Sequence, residues 1–313
     1  IDDTNITSTM TFDVNNGSSD TVYAALASQT LSVSNTDNDS AGITAIQSDG
    51  TTVVSEAADI DYVSVLLDTE PLGTVVLDIS SSDTTEATVS PSTLTYTNLN
   101  WSTGQLITVT GVDDNVSEDN VSINSILAVN VVSTLDSQYD LLGAVTVPVI
   151  VTDDDSAGFT LAETGGETRV YETGSTDTFT IVLTSEPTNT VQFNVTSVTT
   201  SEVIATTSSV TFTAANWNTP QSITVTGADD LLADGNTTNT VTVSINTTNT
   251  LDPVYDLVPS QNQSVINNDN DAVGITAVPT YGSLVDETGT TTTYTVVLDS
   301  LPTGNVIIDA VSG

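Results

Sequence analysis

Apolar and polar residues alternate along most of this chain, in short runs bounded by turn residues. Tyr62-Val63-Ser64-Val65, Leu106-Ile107-Thr108-Val109-Thr110 and Val145-Thr146-Val147-Pro148-Val149 are typical. A period of two sends successive side chains to opposite faces, so one face of each run is buried and the other solvated. Between residues 41 and 156 the pattern predicts seven strands, near 43–54, 62–67, 74–80, 92–97, 105–112, 121–132 and 144–152. Turn signals such as Glu70-Pro71-Leu72-Gly73 fall between them, and Pro recurs at Pro187 and Pro302. No segment carries a helical period. The expected fold is all-β: tandem immunoglobulin-like Greek-key β-sandwiches.

The pattern repeats. Asp37-Asn38-Asp39-Ser40-Ala41-Gly42-Ile43 returns as Asp153-Asp154-Asp155-Ser156-Ala157-Gly158-Phe159 and again as Asp269-Asn270-Asp271-Ala272-Val273-Gly274-Ile275, at steps of 116 residues. Asn100-Trp101 and Asn216-Trp217 keep the spacing, as do Tyr23, Tyr139 and Tyr255. Glu56 and Glu172 also keep it, and Glu287 is one residue short of phase. The expected organisation is a back part of one repeat (1–40), two whole repeats (41–156 and 157–271) and the front part of a fourth (272–313). The two partial ends together lack about 30 residues of a repeat and would not simply complete one another. The chain opens at Ile1 with neither an initiator Met nor a signal-like segment, so a stretch of a longer tandem array is expected.

Composition narrows the chemistry. With no Cys and no His, disulfides, thiolate nucleophiles, structural zinc, a Ser-His-Asp triad and haem ligation are excluded. Arg169 is the sole basic side chain against 41 acids, a formal net charge of −40. Nucleic acid and anionic membrane surfaces would repel such a chain, and no apolar run is long enough to span a bilayer. Hydrophobic content of 37%, rich in branched side chains, argues for folded β-structure rather than disorder.

Strand parity says where the acids go. In an antiparallel sandwich the loops after odd-numbered strands share one end. Glu56, Asp83, Glu86, Asp113, Asp114, Glu118, Asp119, Asp153, Asp154 and Asp155 fall in those loops, ten of the repeat's eighteen acids. The next repeat places Glu172, Glu202, Asp229, Asp230, Asp234, Asp269 and Asp271 in the same way. Asp2, Asp3, Asp37 and Asp39 are their counterparts before, and Glu287 after, while Asp83 and Asp119 lack counterparts in phase. A merely solvated acidic surface would scatter its acids over strands and loops. These recur at one end, where one arginine cannot neutralise them. Close carboxylates repel, and a multivalent cation removes that penalty. Hard oxygen donors on flexible loops suit Ca2+ better than Mg2+, so calcium clusters are expected at the domain junctions.

These residues also carry a resemblance to Calx-β domains, found in sodium–calcium exchangers and in tandem arrays on bacterial surface proteins. Val54-Ser55-Glu56 resembles the family's Val-Ser-Glu element, which implies a calcium-ligating role for Glu56. Glu172 and Glu287 match its Glu, although Tyr171 and Asp286 replace its Ser. Asp113-Asp114 with Glu118, and Asp229-Asp230 with Asp234, resemble a second ligand element. The terminal acidic triplet is matched by Asp153-Asp154-Asp155, with Asn38 and Asn270 in the middle elsewhere. Thr7 stands where the first repeat would need its trailing acid, so fewer ions are expected there.

Trp101 and Trp217 are expected to pack in the core or between domains rather than to stack on sugars, and Tyr23, Tyr139 and Tyr255 resemble tyrosine-corner residues. Asp20, Asp136 and Asp252 follow strand six, at the opposite end, either as caps on a neighbour's ions or as Asx-turn acids. Catalysis is not expected, because the same acids recur once per repeat. The expected function is a calcium-stiffened shaft of a large extracellular adhesin or fibre, with neighbouring repeats as partners. The alternatives are a subunit of a self-assembling filament or surface layer, and a module binding carbohydrate or a host protein.

Overall fold

The computed structural model describes all residues except 16, 18–19, 119–122, 135, 281–283 and 312–313, and only the backbone of 123–128 and 132–134. Asp119 and the start of the expected strand 121–132 therefore lie outside the described residues. The chain forms two compact units, Ile1–Asp114 with Asn120–Asp154, and Asn115–Asp119 with Asp155–Gly313.

The first unit begins with a hairpin, β1 (Ile6–Phe12) and β2 (Gln29–Asn35). Nine strands follow: β3 (Ile43–Gln47), β4 (Thr52–Ser55), β5 (Ile60–Leu67), β6 (Val75–Ser81), β7 (Ala87–Ser90), β8 (Thr93–Tyr96), β9 (Gln105–Gly111), β10 (Ile123–Thr134) and β11 (Val145–Thr152). They make a four-stranded sheet, β3-β5-β9-β7, and a five-stranded one, β4-β11-β10-β6-β8.

The second unit repeats this plan. Its strands are β12 (Phe159–Glu163), β13 (Thr168–Tyr171), β14 (Thr176–Leu183), β15 (Val191–Ser197), β16 (Val203–Ala205), β17 (Ser209–Phe212), β18 (Gln221–Gly227), β19 (Thr237–Ile245) and β20 (Gln261–Asn268), with a last hairpin of β21 (Ile275–Pro279) and β22 (Tyr294–Leu298). The sheets are β12-β14-β18-β16 and β13-β20-β19-β15-β17. The fold is an immunoglobulin-like β-sandwich, as the alternation predicts.

Two details differ from the expected seven strands. The expected first strand, 43–54, is two: a turn at Ser48–Gly50, with Asp49 at φ 51°, moves the chain from one sheet to the other. The expected fourth strand, β8, is preceded by an unforeseen strand, β7, which pairs with β9 in the opposite sheet. Both breaks are places where the chain changes sheet while keeping its direction. Strand parity is therefore unaltered, and the loops after β4, β6, β9 and β11 share one end. The sheets are also not purely antiparallel, because β4 pairs parallel with β11 and β13 with β20.

Inward positions follow the period of two. Val63, Val65, Leu67, Val75, Leu77, Ile107 and Val109 are fully buried in the first core, and Phe179, Ile181, Phe193, Phe212, Ile223 and Val225 in the second. Phe193 meets Phe159 and Phe212 edge-on, with ring centroids 4.8 and 6.0 Å apart. Each such side chain contributes about 1.5–3 kcal/mol on burial. Trp101 and Trp217 are half-buried against these cores.

At the end opposite the acidic loops, Tyr139 and Tyr255 are buried, with their hydroxyls bonded to Thr69 and Ser185. Asp136 accepts the N–H groups of Leu72 and Gln138, and Asp252 those of Thr188 and Val254. The i to i+2 bonds are Asx turns, and each aspartate also fastens a second loop. Their carboxylates serve their own sandwich, which supports the turn role over the capping of a neighbour's ions. Among the described residues, no helix is long and apolar enough to cross a membrane.

Candidate metal centre

The second unit shows how the site is assembled. β13 ends at Tyr171 and delivers Glu172, β18 ends at Gly227 and leads to Asp229, Asp230 and Asp234, and β20 ends at Asn268 ahead of Asp269 and Asp271. Glycine at 227 is required for this. A Cβ there would run into the Tyr171 carbonyl, holding the β18 loop away from the Glu172 loop. Gly111 plays the same part beside the Ser55 carbonyl in the first unit.

Glu172 is 2% exposed, and one carboxylate oxygen each from Glu172, Asp234 and Asp269 lie within 4.8 Å of one another. Burial pushes the Glu172 carboxyl above the usual range, and Asp269, Asp230 and Asp234 push it further. Burial also raises Asp234, with Glu202, Asp230 and Asp269 adding to it, and raises Asp271, with Asp269, Asp229 and Asp230 adding. Asp269 goes the other way, because the Asp271 and Gly235 N–H groups donate to it, at 2.7 and 2.6 Å. The loops are thus pinned by backbone donors while several carboxylates face one another. Asp229 is exposed, and its carboxylate accepts the Asn270 side-chain N–H at 3.4 Å. Asp230 accepts the Leu232 N–H at 2.7 Å.

In the first unit, Glu56 is 1% exposed and has carboxylate oxygens within 4.8 Å of those of Asp114 and of Asp153. Glu86 has the same proximity to Asp114. Its carboxyl is raised by burial, then by Asp114, Asp83 and Asp153. Asp83 is held low by the Thr85 hydroxyl and serves its own turn. Asp113 and Asp154 are exposed, and Glu118 and Asp155 are partly buried residues of the second unit.

The early acids are placed differently from expectation. Asp37 Oδ2 accepts the N–H groups of Asp3 and Thr4, at 3.0 and 2.9 Å, its own N–H donates to Asn5 Oδ1, and Asp39 N–H donates to Asp37 Oδ1. Asp269 is framed in the same way by Gly235, Asn236 and Asp271. Asp3 therefore occupies the place of Asp234: the trailing acid is present, and Thr7 belongs to β1. Asp2 accepts the Ala41 N–H. Glu287 is exposed on a turn and joins no three-acid group among the described residues.

Sequence reasoning missed Asn267. It is 1% exposed, and its side-chain N–H group lies 3.4 Å from Glu172 Oε1 and 3.3 Å from Glu202 Oε2. The signal was a polar residue at an inward strand position, where the first unit has Val151.

No protein-family model matches the chain, and no curated protein does. Among solved structures, the chain is similar to CBD12 from CALX1.2 at 15% identity, covering 64% of this chain and 79% of that one, with a TM-score of 0.27. It is similar to the calcium binding domain CBD12 of CALX1.1 at 16% identity with the same coverage and TM-score. Domains 4 and 5 of the S-layer protein SbsC match at 16% identity over 62% of this chain and 75% of that one, with a TM-score of 0.27. Superpositions this loose do not inform the site. The class follows from the chain's own strands and loops: a β-rich chain of immunoglobulin-like sandwiches, each with acids gathered at one end.

Proposed function

We propose that this chain is a non-catalytic, calcium-stiffened segment of a Calx-β-like repeat array, the shaft of an extracellular adhesin or fibre. The convergence of Glu172, Asp234 and Asp269 within 4.8 Å of one another carries this reading. Arg169 does not relieve it, because its guanidinium is bound to Glu167 and Asn268. The donors are all oxygen, from carboxylates on three loops, which fits a hard cation with an adaptable shell.

Glu172, Asp234 and Asp269 would hold the ion in the second unit, and Glu56, Glu86, Asp114 and Asp153 in the first. Bound calcium supplies the positive charge that these loops lack. The chain supplies the rest: buried Glu172 anchors the cluster to the sandwich, and the N–H groups of Gly235 and Asp271 hold Asp269 in register. A loop end that repels itself is loose, and one bridged by an ion is stiff, which is the mechanical property a projecting array needs. Sites of this kind work at the calcium levels of extracellular fluid or seawater, where neighbouring repeats and other copies are the natural partners.

Calorimetric unfolding of the chain in EDTA, in calcium, and in matched magnesium and sodium chloride tests the reading. Calcium at 100 times its Kd adds about 2.7 kcal/mol. A rise in Tm specific to calcium is expected. Equal rises in all salts mean charge screening and sink the metal sites.

A further inference from the structure

Glu202 in the second unit and Glu86 in the first stand 116 residues apart, at the same place in the fold, yet their surroundings differ. Glu86 lies within 4.8 Å of the Asp114 carboxylate, and the residue that β11 places at its inward end is Val151, a hydrocarbon. Glu202 joins no three-acid group among the described residues. Its Oε2 accepts instead from the Thr237 hydroxyl at 2.8 Å and from the Asn267 amide at 3.3 Å. Asn267 is the β20 counterpart of Val151, and the same amide nitrogen lies 3.4 Å from Glu172.

The amide therefore sits between two carboxylates with its donor side toward both. Both contacts are long for hydrogen bonds, as for a group held midway between two acceptors. Turning the amide over would aim its oxygen at the two acids, so the polarity is fixed by its neighbours. Its Oδ1 has no hydrogen-bond partner among the described residues and is pressed against Gly227, where even a Cβ would crowd it. A buried carbonyl oxygen left without a donor costs free energy. The side chain bears that cost while giving its N–H group to Glu172 and Glu202.

We propose that the Asn267 carboxamide stands in for a bridging cation in the second unit, so that this unit takes up one calcium ion fewer than its acids alone would hold. The inference rests on the calcium reading of the acidic loops. It divides the acids of the second unit into two sets: Glu172, Asp234 and Asp269 face the ion, and Glu202 is served by the chain's own donors. Glu172 belongs to both, one oxygen toward the amide. A unit built this way keeps part of its loop order when calcium is scarce, whereas a valine at this place offers the neighbouring carboxylates no donor.

The test is calcium stoichiometry by flow dialysis on the whole chain, with Tm in EDTA measured alongside. Asn267→Val is expected to bind one more calcium per chain and to unfold at a lower temperature in EDTA. Val151→Asn, which keeps the inference testable if the first variant folds poorly, is expected to bind one fewer. Stoichiometry unchanged in both variants, with calcium still bound by the wild type, overturns this inference alone. A wild-type chain that binds no calcium overturns the reading on which it rests as well.

Discussion

Asp269 Oδ2 accepts the backbone N–H of Gly235 at 2.6 Å, and this bond ties the loop after β18 to the loop after β20. Asp37 and Thr4 make the same bond at 2.9 Å in the first unit. Both donors have a left-handed backbone, Gly235 at φ 80° and Thr4 at φ 67°. A branched residue pays for that conformation, and glycine does not. Gly235→Val should lower stability by about 1–2 kcal/mol and Thr4→Gly should raise it by a fraction of that, both read as Tm in EDTA.

Removing the buried charge at the centre of the cluster should separate stability from calcium response. In EDTA, Glu172→Gln is expected to unfold at or above the wild-type temperature, since a buried carboxylate facing Asp269, Asp230 and Asp234 is lost. The calcium-induced rise of the second unit should shrink at the same time. Parallel calorimetric scans with and without calcium read both effects, and an undiminished rise argues against Glu172 as a ligand.

Acidification should act with opposite signs in the two ionic conditions. The native pKa values of Glu172 and Glu86 are raised above the ordinary 4.5, so the folded form binds protons more readily than the unfolded chain between those values. Without calcium, stability from these groups therefore increases as pH falls from neutral toward 4.5. Below that, Asp269 and Asp37, held under the usual 3.8 by backbone donors, lose their contribution as they protonate. With calcium present, protons compete for the same oxygens and Tm should fall over the upper range instead. Tm against pH in EDTA and in calcium checks the crossing of the two curves.

A control lies at the opposite end of the sandwich. Asp252 is 2% exposed and accepts from the Thr188 N–H and hydroxyl and from the Val254 N–H. Asp252→Ala strands these donors and should cost about 2–3 kcal/mol by urea unfolding. The loss should be equal in EDTA and in calcium, because this carboxylate is consumed by its own turn.

Much of the molecule is written locally. Alternation marks nearly every strand, since burial of one face of a pleated ribbon demands it. The 116-residue step marks equivalent loops, and strand parity alone sends Glu56, Glu86, Asp114 and Asp153 to a common end. The chain changes sheets at Ser48–Gly50 and after β7 without reversing, so strand parity is kept across both places. Local pattern does not register such a switch, because the period of two continues through it.

Other features depend on packing between distant segments. The 116-residue step brings Asp2 into phase with Glu118 and Asp234, and only the hydrogen bonds of Asp3 and Thr4 to Asp37, more than thirty residues away, shift the counterpart by one residue to Asp3. The sequence also does not show which acids meet and which are served by the chain's own donors. Sequence by itself determined the all-β class, the repeat and the acidic end. Tertiary structure decided that Glu202 goes to Thr237 and Asn267 while Glu172 faces Asp234 and Asp269. The physical reason is range: alternation is set by neighbours along one strand, whereas a carboxylate's partner is set by strands 35 to 95 residues apart meeting at one end of a sandwich.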